Sequence, residues 1–249
     1  MKYGGIESAV EVNIATRAEL FQALKARFAA RRGFALATLN LDHLTKLPQD
    51  PAFLAAYRAH DLVVADGRPV VWLSQLARQP VELMPGSDLI LPICGLCADM
   101  QVPVALVGSS DAALEGAAEA LQRRVPGLQV AYRHAPAYGF DPTGAEADRI
   151  CAELSASGAG LCLIALGAPK QEIFAARGRE MAPGVGFASI GAGLDFLSGH
   201  QVRAPKAMRM LALEWLWRAL QSPRRMVPRY AKCFAILPGL TWQAWRQRR

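Results

Sequence analysis

The chain has 249 residues, 20% of them charged and 52% hydrophobic, which is enough for one large domain or two small ones and for a substantial core. That balance excludes a disordered chain and a small scaffold dependent on disulfides. The net charge of +7 is unevenly placed: residues 201–249 hold 11 Lys/Arg against a single acid, Glu214, while residues 1–200 hold 17 basic and 20 acidic side chains. Affinity for phosphate-bearing partners is therefore expected of the last fifth of the chain.

Taken in order, Thr16 and Glu19 stand at capping-box spacing and predict a helix running through Leu20, Leu24 and Phe28 to a stop at Gly33. Phe34 to Thr38 reads as a short buried strand. Asp50-Pro51 pairs an N-cap with proline at the first helical position, and the helix it opens leads to a second strand, Leu62 to Ala65. Further strand-like runs lie at Val104–Val107, Leu128–Tyr132, Leu161–Leu166 and Phe187–Ile190, with helical segments between them. The alternation predicts an α/β fold, Rossmann-like, with a mostly parallel sheet covered by helices on both faces. The sheet is expected to end near Gly199, dividing a core of residues 1–199 from a basic, aromatic, helical appendage of residues 200–249.

Ligands of such sheets bind beyond the carboxyl ends of the strands. The predicted exits are Thr38-Leu39-Asn40, Asp66-Gly67-Arg68, Gly108-Ser109-Ser110, Tyr138-Gly139-Phe140, Gly167 to Glu172, and Gly191 to Asp195. Glycines there, Gly108, Gly167 and Gly191 among them, let backbone N–H groups approach a diphosphate closely, and Lys170 adds a cation.

Several signatures are missing. No glycine precedes Lys-Ser/Thr at Walker spacing, Gly191-Ala-Gly193 lacks the third glycine of the dinucleotide fingerprint, and there is no Gly-x-Ser-x-Gly elbow. No cofactor is therefore expected. Cys94-Gly-Leu-Cys97 has no second pair or nearby His and reads as core cysteines on a helix rather than as a zinc site. There is no Asp-x-Asp pair to hold a divalent ion; the nearest pattern, Glu146-Ala-Asp148, falls in a solvated helical stretch, so no metal is expected. Five cysteines, odd in number and mostly in apolar stretches, point to a reducing compartment. The first residues carry neither a basic nor a long apolar region, so no signal peptide is expected, and no apolar run reaches the roughly 18–20 residues of a spanning helix.

Seven blocks follow one another in order: Thr38-x-Asn40; Ala65-Asp66-Gly67-x-Pro69; Gly167-x-Pro169-Lys170-Gln171-Glu172; Gly191-x-Gly193-x-Asp195-Phe196-x-x-Gly199; Arg203-Ala204-Pro205; Leu213-Glu214-Trp215-Leu216-x-Arg218; and Pro223-x-Arg225-x-x-x-Arg229-Tyr230. Together they resemble the WecG/TagA/CpsF family of bacterial glycosyltransferases, glycosyltransferase family 26, from about Asn13 to Tyr230. The resemblance implies transfer of a hexose-type sugar from a UDP-sugar to a saccharide on a polyprenyl diphosphate, with inversion and without a required metal. It further implies work at the cytoplasmic face of the bacterial inner membrane, in the synthesis of cell-wall, capsular or exopolysaccharide material. In that family the aspartate matching Asp66 is the proposed general base, with Thr38 and Asn40 beside it, Gln171 near the reacting sugar, and arginines of the C-terminal appendage near the diphosphate.

Chemistry agrees with these roles. Inverting displacement needs a base that takes the acceptor proton while the nucleotide leaves from the opposite face. The alternative for Asp66 is a turn or N-cap aspartate before Gly67. Arg218 and Arg225, ahead of Arg224 and Arg229, are candidates to neutralise the departing diphosphate; the alternative is a solvated or lipid-facing surface. Arg225 and Arg229 would share a helix face unless Pro228 breaks it. Tyr138 offers a face for uracil and Asp195 a carboxylate for ribose, against core packing and turn formation. His43 is read either as orienting an acceptor or as part of a turn.

Trp215, Trp217, Trp242 and Trp245 lie among the basic residues of the appendage, which suits the headgroup layer of an anionic membrane surface. The expectation is that its first half closes the site and its second touches lipid. A non-enzymatic basic nucleic-acid-binding protein is the competing class, but no recognition helix or stacking platform accompanies the charge. No pattern speaks for or against a homo-oligomer.

Overall fold

The computed structural model describes residues 1–5, 9–201, 204, 205, 208 and 214–248, with the side chains of Glu214, Arg218 and Arg225 outside the description. Its centre is a parallel sheet of six strands: β3 (Phe34–Leu39), β4 (Leu62–Ala65), β5 (Val104–Gly108), β6 (Val130–His134), β7 (Leu161–Ala165) and β8 (Gly186–Ser189). Their order across the sheet is β4-β3-β8-β7-β5-β6. β3, β4, β5 and β8 are buried at every position and β7 at all but its last, as continuous apolar runs covered on both faces require. The expected Rossmann-like α/β class is the observed one.

Alternation of side chains sorts the sheet into two faces. Phe34 and Leu36 of β3 join Leu62 and Val64 of β4 beneath α1 (Arg17–Ala29), α5 (Gly86–Asp99) and α6 (Asp111–Arg124). On the other face, Ala35, Val107, Cys162 and Phe187 pack under α7 (Ala145–Ala156) and α8 (Lys170–Met181). Ala37, Leu39, Val63 and Ala65 pack with α2 (Leu41–Lys46), α3 (Pro51–Ala59) and α4 (Arg68–Leu76). α9 (Gly193–Ser198) follows β8 and ends at Gly199 in the left-handed conformation.

The capping box at Thr16 and Glu19 forms as expected, and Asp50 caps α3 by accepting the Phe53 N–H at 3.0 Å. Cys94 and Cys97 are buried core residues of α5. The strand expected from Leu128 begins instead at Val130. Leu128 is buried beside the turn at Gly127, and β6, paired with β5 alone, alternates between half-buried and exposed positions, unlike β4 at the other edge, which is buried throughout. A small hairpin of β1 (Lys2–Tyr3) and β2 (Val10–Glu11) precedes the sheet domain and was not expected.

Two C-terminal helices complete the described chain, α10 (Glu214–Gln221) and α11 (Pro223–Arg246). α11 runs without interruption through Pro228 and Pro238, so Pro228 does not break the face shared by positions 225 and 229. Packing supplies what the missing proline N–H groups do not. Leu240 and Ala244 are buried in the cluster that covers β3 and β4, and Gln247 donates to the Lys2 carbonyl at 2.9 Å.

Candidate functional site

The helix after β3, α2, lies on one face of the sheet, whereas α9, after the neighbouring strand β8, lies on the other. Loops that leave adjacent strands toward opposite faces open a crevice at the carboxyl end of the sheet. Four consecutive strands, β4-β3-β8-β7, deliver Asp66, Asn40, Gly191 and the Gly167–Glu172 segment to that end.

Asp66 directly follows β4; its N–H donates to the Leu39 carbonyl at 2.7 Å, which carries the sheet pairing one residue beyond the strand, and its side chain is half-buried. The N-cap of α4 is Gly67, at φ 102°, so the sharp exit is made by a residue that tolerates this conformation and Asp66 is not the capping residue. Asn40 caps α2, its Oδ1 accepting the His43 N–H at 3.1 Å, and its Nδ2 stands 3.4 Å from His43 Nε2. Thr38 is buried, and its hydroxyl donates to the Ser189 carbonyl at 3.4 Å, tying β3 to β8 below the rim.

Gln171 and Glu172 open α8 and are both buried. The Gln171 amide is held at both ends: Oε1 accepts the Gly191 N–H at 3.1 Å and Nε2 donates to Glu172 Oε1 at 2.7 Å. Gln171 thus joins the exits of β7 and β8. Burial pushes the Glu172 carboxyl up to about 7, against the Gln171 hydrogen bond, and its Oε2 has no hydrogen-bond partner. Lys170 donates to the Phe140 carbonyl at 2.8 Å, anchoring the loop that carries Tyr138.

The remaining expected residues lie farther along the rim. Asp195 accepts from the Ser109 hydroxyl and, at 2.7 Å, from Gln201 Nε2, so its carboxylate links the exits of β5 and β8. At the end of β5 a Cβ on Gly108, at φ 121°, would meet the Ala165 backbone at 2.5 Å, so the close approach of β7 requires glycine there. Gly167 and Gly191 also take positive φ, at 72° and 60°. Tyr138 is fully exposed beyond the edge strand β6, four strand steps or about 19 Å from β3. The side chains of Arg218 and Arg225 lie outside the described residues, as does Arg203.

A charged cluster beside Asn40 escaped the reading of the sequence. Asp42, buried in α2, pairs with Lys46 at 2.8 Å and with Arg229 of α11 at 2.7 Å. Burial pushes its carboxyl up, and the two cations outweigh that, holding it below the ordinary carboxylate range. Arg229, a candidate for the diphosphate, is in this structure the link between the appendage and the helix that Asn40 begins. Lys46 and Asp42 are at i,i+4 spacing, a visible signal; the partnership with Arg229 spans the chain and left none. Among the described residues no group of three His, Cys, Asp or Glu converges to hold a metal ion, and no helix is long and apolar enough to cross a membrane. Residues 8–249 match the family model described as the glycosyl transferase WecG/TagA/CpsF family.

Proposed function

The chain belongs to the WecG/TagA/CpsF family of glycosyl transferases and is a glycosyltransferase, and from that premise we propose that it moves a hexose from a UDP-sugar to a saccharide carried on a polyprenyl diphosphate. The observation that carries the reading is the delivery of Asp66, Asn40, Gly191 and Gln171 to one crevice by four neighbouring strands. In this reading the Asp66 carboxylate takes the proton of the acceptor hydroxyl as its oxygen bonds to the anomeric carbon. The bond from that carbon to the UDP oxygen breaks on the opposite face, so the configuration inverts.

The departing diphosphate gains negative charge, which Arg218 and Arg225 are proposed to neutralise, with backbone N–H groups at Gly108 and Gly167 and the Lys170 ammonium assisting in place of a metal, while Gly191, whose own N–H is bound by Gln171, lets the chain approach the phosphates closely. Gln171 reaches the sugar with what its two internal bonds leave over, one Nε2 hydrogen and one Oε1 lone pair. Uracil on Tyr138 and ribose on Asp195 require the nucleotide to lie along the strand ends toward β6. Thr38 supports Asn40 from below.

The appendage is proposed to close this site with its first half and to rest on an anionic membrane with its second, placing the enzyme peripherally at the cytoplasmic face of a bacterial inner membrane in cell-surface polysaccharide synthesis. Support comes from exposed Phe234, Trp242 and Trp245, which with Leu76 line an apolar groove of about 720 Å³.

Asp66→Asn tests the centre of this reading. Turnover is expected to fall by at least about a hundredfold while calorimetric UDP binding stays within about twofold; near wild-type turnover removes Asp66 from the mechanism. A thermal-shift comparison of UDP with an oligonucleotide, each with and without chelator, tests the rest. Stabilisation by UDP alone, indifferent to chelator, is expected.

A further inference from the structure

The side chain of Asn40 has a fixed orientation, because its Oδ1 accepts the His43 backbone N–H at 3.1 Å. Its Nδ2 is then the end that faces His43 Nε2 at 3.4 Å. An amide nitrogen only donates, so Nε2 has to be the unprotonated nitrogen of the ring. Burial keeps this imidazole neutral, pushing it down to about 3, and a neutral ring carries its proton on the other nitrogen. Nδ1–H therefore donates to the Tyr57 hydroxyl oxygen at 2.8 Å.

Tyr57 is fully buried and fixed by its ring neighbours: edge-on to Phe53 at 5.2 Å and to His43 at 5.7 Å, and stacked on His60 at 5.7 Å. Since its oxygen accepts from His43, its own hydroxyl hydrogen is left for another acceptor. Burial, then the nearby carboxylates of Glu172 and Asp66, push its pKa well above 10, so the phenol keeps that hydrogen. The direction of every hydrogen bond from Tyr57 to Asn40 follows from one backbone N–H and the neutrality of one ring.

We propose that His43 and Tyr57 are positioning residues for sugar transfer, the Tyr57 hydroxyl locking His43 in the Nδ1–H tautomer and His43 Nε2 holding the Asn40 amide. Asn40 is left with one Nδ2 hydrogen and one Oδ1 lone pair. That donor–acceptor pair matches a sugar hydroxyl, which also donates once and accepts. The proposal rests on the placement of Asn40 in the reaction crevice, as argued under the proposed function.

The test is a long-range proton–nitrogen NMR spectrum of the full chain labelled with ¹⁵N-histidine, with His43 assigned by its loss in His43→Gln. The wild type is expected to show Nδ1 protonated and Nε2 bare, unchanged from about pH 5 to pH 8. In Asn40→Asp a carboxylate oxygen replaces Nδ2 and accepts, so the proton is expected to move to Nε2. Tyr57→Phe keeps the ring and is expected to lower kcat about tenfold, the worth of one hydrogen bond, with KM for the sugar nucleotide within about twofold. A wild-type ring protonated at Nε2, or no tautomer change in Asn40→Asp, overturns the chain of hydrogen bonds. Full kcat in Tyr57→Phe overturns the positioning role. If Tyr57→Phe does not fold, the wild-type and Asn40→Asp spectra decide. Wild-type turnover in Asn40→Ala alongside the expected wild-type spectrum overturns the place of Asn40 in the site and leaves the hydrogen-bond chain standing, so the two failures are told apart.

Discussion

Within the sheet domain the rings of Phe34, Phe53, Phe174 and Phe187 are fully buried, and Gln171 and Asp195 tie strand exits to one another. Along α11 the arrangement is reversed. One face, with Leu240 and Ala244, is buried against the sheet domain, while Val227, Phe234, Trp242 and Trp245 on the remainder are half or more exposed. Four large apolar side chains exposed on one helix form the surface that the proposed membrane contact would cover. If that proposal holds, stability and lipid contact are carried by separate residues, and substitutions can separate them.

The strongest way to break that division is to cut into the sheet domain. Phe187 is fully buried, meets Phe174 edge-on at 5.9 Å, and lies so close to α8 that a Cβ on Gly178 would be 2.5 Å from its ring. Neighbours packed this tightly cannot collapse into the space a truncation leaves. Phe187→Ala is expected to cost about 3–5 kcal/mol and to lower Tm by roughly 6–20 °C, read by circular dichroism. A loss under about 1 kcal/mol would mean that this core repacks freely.

The two regions also differ in how much of them the sequence made legible. The capping box at Thr16, the N-cap at Asp50 and the strand Leu62–Ala65 depend on neighbours within four residues or on a bare apolar run, and all form as expected. The fold class followed from the alternation of such local signals. What stayed hidden depends on pairs far apart in the chain: Asp42 with Arg229, Ser109 with Asp195, and Gln171 with the backbone of Gly191. Asn40 and Asp66 were visible as strand exits, but nothing local connects Tyr57 with His43 or shows that Glu172 is buried. Two-residue strands such as β1 and β2 are too short to carry a periodic signal. The continuity of α11 through two prolines is set by packing on the sheet domain, which local propensity does not contain.

A smaller effect is expected where the regions meet. Because the folded Asp42 carboxyl sits below its ordinary value, its contribution is present above about pH 4 and is lost as pH falls through the folded pKa. Asp42→Asn is expected to cost about 1 kcal/mol at pH 7, modest because Lys46 and Arg229 are each 38% exposed and screened by water. The gap between the wild type and the variant should close as denaturation is followed downward from about pH 4, through the folded pKa. A gap that persists to low pH removes the ion pairs as its cause. Glu172 has the opposite sign: its folded pKa is raised to about 7, so from about pH 4.5 to pH 7 stability falls as pH rises. Glu172→Gln is expected to flatten that slope in the same titration.

The smallest expected change in stability belongs to the exposed end of α11, and it sharpens the comparison most. Trp242 and Trp245 stack at 5.2 Å with 21° between their planes, and 61% and 50% of their surfaces are exposed. Removing both rings takes little from the folded state that is not already in water, so the Trp242→Ala/Trp245→Ala variant is expected to lose no more than about 1 kcal/mol. If these rings enter a headgroup layer, the same variant loses most of the apolar area available for insertion, and its partitioning onto phosphatidylglycerol vesicles is expected to fall by at least about tenfold. Deleting Pro238 to Arg249 is a poorer test, since it also strips Leu240, Ala244 and the Gln247 bond from the sheet domain and would weaken docking and folding together. The paired substitution separates the two. Unchanged partitioning would show that the rings do not enter lipid, and a large fall in Tm would show that they belong to the core after all.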